Sequence, residues 1–237
     1  MTADILAAPR GDVARAAAAR NWPLYWASEI APYLGPRIAE IGAGETPAAL
    51  HLHDAAEGWT CVEPDQRVAR RIASRARRGE LGRRCAVLNG WVVDLPKAEA
   101  YDTILYINAL ERIPADRAEL EAAGRRLRRG GHLVVLGEAH PFLYSAHDAA
   151  TGRVRRYTRR SLLAIEPPGF QPVAIKYLDS AGFLAATAAC FLPTAGTPNP
   201  RRIAFWDAAL VPLSRRLDRL SGYRLGKSLL GVWRRIV

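Results

Sequence analysis

From residue 34 onward, short apolar runs alternate with amphipathic segments, and the two kinds of segment have different periods. RIAEI (37–41), WTCVE (59–63), CAVLNG (85–90), YDTILYIN (101–108) and HLVVLGE (132–138) are aliphatic, aromatic and β-branched, as strands require. Between them, TPAALHLHDAA (46–56) reads as a helix with Pro47 in its first turn. DQRVARRIASRARR (65–78) places Val68, Ile72 and Ala76 four residues apart on one stripe. PADRAELEAAGRRLRRGG (114–131) reads as a helix opened by proline and closed by a glycine pair. Strand–helix repetition with short links predicts an α/β fold, a parallel doubly wound sheet with helices on both faces. The near-continuous apolar run at 101–108 is expected at its centre.

The chain is expected to form one domain, 1–237. ARNWPLYWASEIAPYL (19–34) is amphipathic and extends a helical cap expected over 11–34. Two later strands, PVAIKYL (172–178) and KSLLGVW (227–233), flank a helical insertion at 179–226, with helices expected near 181–191 and 203–219. AGFLAATAACFLP (181–193) is too short to span a bilayer. It is expected to cover a substrate pocket or pack a dimer, with a membrane-surface role or a lipid substrate as the alternative. The first twenty residues carry acids and lack the apolar core of a signal peptide, so a cytoplasmic protein, monomer or homodimer, is expected.

A formal net charge of +11 raises the question of nucleic acid. The cations are almost all arginine, with lysine only at 97, 176 and 227. Pairs such as Arg70-Arg71, Arg77-Arg78 and Arg128-Arg129 are scattered over positions suited to solvated helix faces and last turns. No aromatic–basic platform accompanies them, so a nucleic-acid partner is not expected. Cys61, Cys85 and Cys190 have neither metal spacing nor a disulfide pattern, and Cys61 and Cys85 are expected as buried thiols. No metal is expected.

In an open parallel sheet, ligands bind beyond the carboxyl ends of the strands. The first strand ends in Glu40-Ile41-Gly42-Ala43-Gly44, where glycine permits a tight turn and close approach of backbone to ligand. The second ends at Glu63, an acid placed to accept both hydroxyls of a ribose. A dinucleotide fingerprint would need a third glycine at position 47, which is Pro47. The carboxylate of Glu40 is also poor company for a pyrophosphate. Adenosylmethionine, with a ribose, an ammonium and a sulfonium, suits the constellation better than NAD.

The ordered set ARNWPLY, EIGAG, VEPD, DLP, YDTILYINALERI, LRRGGHLVVL, PFLYSAHD and GRVRRYT extends over most of residues 19–180. In it the chain resembles the class I S-adenosylmethionine-dependent methyltransferases, in particular small bacterial members with an RRYT element after strand five. The resemblance implies a Rossmann-like seven-stranded sheet of order 3-2-1-4-5-7-6 with strand 7 antiparallel. It implies S-adenosylmethionine as cofactor and a small-molecule substrate. Gly42 and Gly44, with Glu40 and Ala43, would lie at the methionine part, Glu63 and Pro64 at the ribose, and Gly90, Trp91 and Val92 at the adenine. Asn108 and Ala109 would offer backbone to the amino-acid end, with Arg20 or Tyr25 closing over the carboxylate. The sequence departs from the family at Thr46, Trp91, Arg112 and Arg153, the last two standing where relatives carry histidine.

EAHPFLYSAHD (138–148) follows strand five and supplies His140, Tyr144, His147 and Asp148, with Tyr157 in the next element. Histidine titrates near pH ~6.5, so His140 or His147 is a candidate base, alongside Tyr144 and Tyr157. The expected reaction is methyl transfer to an oxygen, nitrogen or carbon nucleophile. Two alternatives stand beside it. One is a non-methylating use of adenosylmethionine, such as cyclisation to azetidine-2-carboxylate with release of methylthioadenosine. The other is a non-catalytic binding module.

Overall fold

The apolar runs pair into one sheet in the computed structural model, which describes residues 19–96, 100–190 and 200–237. Its strands are Arg37–Ile41 (β1), Gly58–Glu63 (β2), Cys85–Asn89 (β3), Tyr101–Ile107 (β4), Leu127–Glu138 (β5), Phe170–Leu178 (β6) and Ser228–Arg235 (β7). The order is β3-β2-β1-β4-β5-β7-β6, and β7 runs antiparallel to both of its neighbours, as expected. The other ladders, from β3 through to β5, are parallel.

Two-residue alternation sorts each strand between two cores. Ile104 and Tyr106 of β4 join Leu133 and Val135 of β5 in one cluster. Leu105, Val134 and Leu136 join Ile38 and Cys61 in the other. Each fully buried aliphatic side chain contributes roughly 1.5–3 kcal/mol, so burial on both faces fixes strand register strongly.

The helices are Asn21–Ile30 (α1), Ala49–Leu52 (α2), Gln66–Arg77 (α3), Asp116–Gly124 (α4), Ala146–Ala150 (α5), Arg159–Leu163 (α6), Ser180–Cys190 (α7), Pro200–Phe205 (α8) and Val211–Leu220 (α9). Asp65 caps α3 by accepting from the backbone N–H of Arg67 and Val68. Two helices are shorter than their sequence period suggests. The segment 46–56 yields only α2 and a 3-10 turn, because the carboxylate of Glu40 takes the N–H of Ala48 and starts the helix late. The helix expected to reach residue 131 stops at Gly124, and β5 begins five residues before the expected 132, where Leu127 pairs with Tyr101. Gly124 serves packing instead: a Cβ there would come within 2.8 Å of the Phe170 ring.

Strand β6 is an edge strand and tolerates Pro172 at a register shift. In the expected insertion, a π-helical turn at Trp206–Leu210 joins α8 to α9 just before Pro212, which cannot donate to the helical ladder. Residues 191–193 of the apolar stretch and the first eighteen residues of the chain lie outside the described residues. Cys61 is buried but Cys85 is only partly covered, and their sulfurs lie 3.8 Å apart. No helix among the described residues is long and apolar enough to cross a membrane.

Candidate active site

Strands β1 and β4 are neighbours and their chains leave in opposite directions, which makes their carboxyl ends the switch point of the sheet. Gly42 and Gly44 adopt φ of +67° and +62°, and the N–H groups of Gly42 and Ala43 return to the carbonyl of Val62. A Cβ on Gly42 would approach the Cβ of Ala109 to 2.8 Å, so the two post-strand turns touch only because position 42 is glycine. Asn108 also has positive φ, 52°, a conformation asparagine tolerates, and its N–H is held by the carbonyl of Leu136 at 2.7 Å.

The carboxylate of Glu63 closes this turn from the side, accepting from the N–H of Gly44 and of Asp65, each at 3.0 Å. Burial raises its pKa, an effect that those two donors and the Arg112 charge only partly offset. Beside it, Asn89 binds the carbonyl of Glu63, and Asp94 caps the N–H of Trp91 at 2.8 Å. A side chain at Gly90 would strike Asp94, within 2.5 Å.

Glu40 lies beneath the turn and is buried. Its oxygens accept from Ala48 N–H at 2.6 Å, Ala49 N–H at 3.4 Å and the Trp59 indole at 3.0 Å. Burial outweighs these donors and pushes its pKa up to about 7. The folded state therefore holds a proton that the unfolded chain releases near pH ~4.5, so the stability this group adds is lost as pH rises to about 7. In denaturant titrations, wild type should lose stability relative to Glu40→Gln by on the order of 1.4 kcal/mol per pH unit across that window. A difference that stays flat from pH 5 to 8 would remove the assignment.

At the far end of β5 the chemistry is cationic. Residues 153–157 run beside the end of β5, with Tyr157 N–H on the carbonyl of Glu138 and His140 N–H on that of Tyr157. This places Arg156 against Asp148 at 2.9 Å and Glu138 at 3.3 Å, and Arg153 at 3.5 Å from Glu111. Lys227 precedes β7 at the same edge, where Ser228 pairs with Glu138. Burial pushes the Glu138 carboxyl up, yet Lys227, Arg153 and Arg156 together hold it below the ordinary range.

A roof of helices is tied down by three buried carboxylates. Asp207, in the π-helical turn, caps α1 by accepting from Arg20 N–H at 2.8 Å, Asn21 N–H at 3.0 Å and Trp22 N–H at 2.9 Å. Asp218 of α9 accepts from the Tyr25 hydroxyl, Asp179 N–H and Ser180 N–H. Asp179 accepts from Gly182 N–H, the Ser214 hydroxyl and the Trp206 indole.

Between roof and sheet edge lies a cavity of about 1530 Å³. Its floor includes Gly42, Ala43, Gly44, Glu63, Asn108 and Ala109; its roof includes Trp22, Trp26, Phe205 and Trp206. No protein-family model matches the chain, and no curated protein matches it in sequence. Solved structures do match in fold. A complex containing the Haloferax volcanii Trm112 methyltransferase activator matches at 16% identity over 91% of this chain and 90% of that chain, TM-score 0.60. Geranyl diphosphate C-methyltransferase from Streptomyces coelicolor A3(2), solved with Mg2+, geranyl diphosphate and S-adenosyl-L-homocysteine, matches at 15% over 89% and 77%, TM-score 0.63. The [4+2]-cyclase SpnF matches at 20% over 90% and 81%, TM-score 0.61.

The chain has the Rossmann-like methyltransferase fold. The fit to adenosylmethionine can be tested on these residues: a Cβ at Gly44 would meet nothing nearer than 3.9 Å, so the turn presents open backbone there, and Glu63 offers a carboxylate at its side, as that group would need. The candidate cofactor residues separate into groups. Glu40, Gly42, Ala43, Gly44, Glu63, Asn108 and Ala109 line the cavity, although the oxygens of Glu40 already hold the protein together. Pro64, Gly90 and Trp91 stand beside Glu63 but outside the cavity wall, and the Val92 side chain is in the core. Arg20 and Tyr25 are not on the wall either, since Tyr25 is turned to Asp218; Trp22 and Trp26 of the same helix are.

Of the four candidate catalytic residues only His147 lines the cavity. His140 stacks on Tyr177, donates from Nε2 to the carbonyl of Gly226, and is pushed down in pKa by burial. Tyr144 donates to the carbonyl of Arg153 at 2.6 Å. Tyr157 is buried with its hydroxyl on Asp116, and burial with that carboxylate drives its pKa far up. Asp148, also in the predicted cluster, is tied to Arg156 and Ser145; burial raises its pKa, but those partners hold it below the ordinary range. Sequence reasoning missed Glu138, Arg156 and Lys227 as wall residues. Arg112 and Arg153 were visible only as departures from the family pattern.

Proposed function

We propose that the protein is an S-adenosylmethionine-dependent methyltransferase acting on a small-molecule nucleophile, with α1, α7, α8 and α9 as the roof of a single domain. The observation that carries this reading is the glycine turn at 42–44, locked onto Ala109 and flanked by the carboxylate of Glu63, opening on a cavity of about 1530 Å³. Gly42, Gly44 and the backbone at Asn108-Ala109 would hold the amino-acid end, and Glu63 the ribose hydroxyls. When bound, adenosylmethionine supplies a methyl group already activated on a sulfonium. The task left to the chain is to align the acceptor and to take its proton. His147, which lines the cavity, would take the second role. Trp22, Trp26 and Trp206 shield the site from water.

A pocket for one drug-sized ligand occupies roughly 300–1,000 Å³. The larger volume here supports transfer to a second molecule over cyclisation of adenosylmethionine alone. The fold leaves that choice open, since a [4+2]-cyclase shares it.

The test is incubation of the pure protein with adenosylmethionine, followed by mass spectrometry. Cofactor retained intact through desalting is the expected result. Methylthioadenosine with a four-carbon amino-acid product would replace the proposal with cyclisation, and no retention would leave a protein without this cofactor. Glu63→Ala should weaken adenosylhomocysteine binding by about ten- to a hundredfold by calorimetry; an unchanged Kd removes the ribose assignment. His147→Ala should leave that Kd unchanged and lower turnover of an O–H or N–H acceptor by about a hundredfold. Tyr144→Phe should retain turnover, and its loss there would move the chemistry to the tyrosine.

A further inference from the structure

The end of the cavity beyond the glycine turn has an uneven distribution of charge. Arg112, Arg153, Arg156 and Lys227 line it, and Glu111 and Asp148, which pair with Arg153 and Arg156, are behind them. Glu111 and Asp148 are fully buried and off the wall; among the described lining residues, Glu63 is the acid beside Arg112 and Glu138 the acid beside the other three cations. Arg112 and Arg153 are only 7% and 9% exposed, so they work in a medium where a charge-assisted hydrogen bond is strong. The Lys227 ammonium is 5.4 Å from the Trp206 ring centroid, which fixes it at the edge of the roof. Buried guanidinium groups backed by carboxylates are preorganised charges, since their side-chain entropy is already lost. Arg156 already donates from Nε and Nη2 to Asp148 and from Nη1 to Glu138 and the Ala139 carbonyl, so what it offers a ligand is its charge.

Another part of the wall carries an apolar face, although Arg201 and Arg202 of α8 line the cavity as well. Ala185, Ala186 and Ala189 of α7 line it, together with Ile203, Phe205 and Trp206. A ligand spanning both walls needs an anion at one end and an apolar body at the other. One of the four cations has a rival occupant. The Arg112 charge acts on Glu63, on the cofactor side, where the carboxylate of adenosylmethionine would compete for it. Arg153, Arg156 and Lys227 gather around Glu138 instead, at the β5–β7 end. Those three cations hold the Glu138 carboxyl below the ordinary range in spite of its burial.

We infer that the acceptor is an amphiphilic oxyanion, a small apolar molecule carrying a carboxylate or phosphate that seats on Arg153, Arg156 and Lys227. This rests on the methyltransferase reading for the word acceptor, but the anion site itself does not. The nucleophile would then lie between that anchor and the cofactor, within reach of His147 on the same wall.

Calorimetry with four eight-carbon probes tests this: octanoate, octyl phosphate, octanol and octylammonium, each titrated into protein saturated with adenosylhomocysteine. Saturation fills any cofactor-carboxylate site beforehand. Octanoate or octyl phosphate should bind at least tenfold more tightly than octanol and octylammonium, and the tighter of the two identifies the headgroup. Lys227→Met should reduce the preference at least threefold, and Arg153→Gln at least tenfold, with the adenosylhomocysteine Kd unchanged in both. Arg153 is also a structural partner of Glu111, so Lys227→Met carries the test where Arg153→Gln fails to fold. Equal binding of charged and neutral probes, or a preference that survives Lys227→Met intact, would overturn the inference. Absence of adenosylhomocysteine binding would instead defeat the cofactor reading, and the anion preference would then be measured on the free protein.

Discussion

Gly42→Ala should destabilise the protein by about 3 kcal/mol and weaken adenosylhomocysteine binding at least a hundredfold. Two independent penalties add. The backbone at position 42 has φ of +67°, which costs an L-residue roughly 1–2 kcal/mol. The new methyl group would also stand 2.8 Å from the Cβ of Ala109, and overpacking of this kind costs about 1–3 kcal/mol. The second term has a remedy and the first does not. Adding Ala109→Gly opens the space, so the double variant should recover about half of the lost stability while keeping the φ strain. Denaturant titration of the four proteins in the cycle, with calorimetry on each, reads both quantities. A double variant no better than Gly42→Ala would mean that the two turns do not press on one another. A binding constant unchanged in Gly42→Ala would remove the turn from the cofactor site.

The second large effect lies away from the cavity. Asp218 is fully buried and accepts from the Tyr25 hydroxyl at 2.7 Å, from Asp179 N–H at 2.7 Å and from Ser180 N–H at 3.0 Å. It joins α9 to α1 and to the turn that opens α7. Asp218→Ala leaves three donors buried without an acceptor, and the expected loss is about 3–5 kcal/mol. For a chain of 237 residues that lowers the melting temperature by about 10 °C. Tyr25→Phe removes one donor together with its bond and should cost about 1 kcal/mol, because the two backbone groups keep their acceptor. A comparable loss in both variants would mean that the phenol, not the backbone turn, is what the carboxylate secures. The roof is thus held by carboxylates with backbone partners, whereas the floor is held by glycine turns.

Much of this organisation can be read along the chain, and the parts that cannot have a common cause. RIAEI at 37–41 forms the strand expected of it, residue for residue, because its short apolar run and its closing glycines are local properties. The same is true of the stripe Val68–Ile72 in α3, whose first two members are buried against the sheet. The helix over 114–131 was over-extended because arginine and leucine suit a helix well, and only the pairing of Leu127 with Tyr101 decides otherwise. In the site, Gly42, Glu63 and Asn108 were legible from their positions after strands.

Tyr157 and His140 were not, since a side chain's availability depends on what it meets after folding. Asp116 lies 41 residues before Tyr157 and takes its hydroxyl; Gly226 lies 86 residues after His140 and takes its ring N–H. Charge shows the same division most clearly. The sequence alone determines that the chain is rich in arginine, that it alternates strands with helices, and that two glycines follow an acid at the first strand's end. Only the tertiary structure decides that Arg153, Arg156 and Lys227 share one wall, with Glu111 and Asp148 behind the two arginines. Periodicity acts over a few residues and is written in the chain, whereas an electrostatic partner is chosen by distance in space, and the sheet sets that distance.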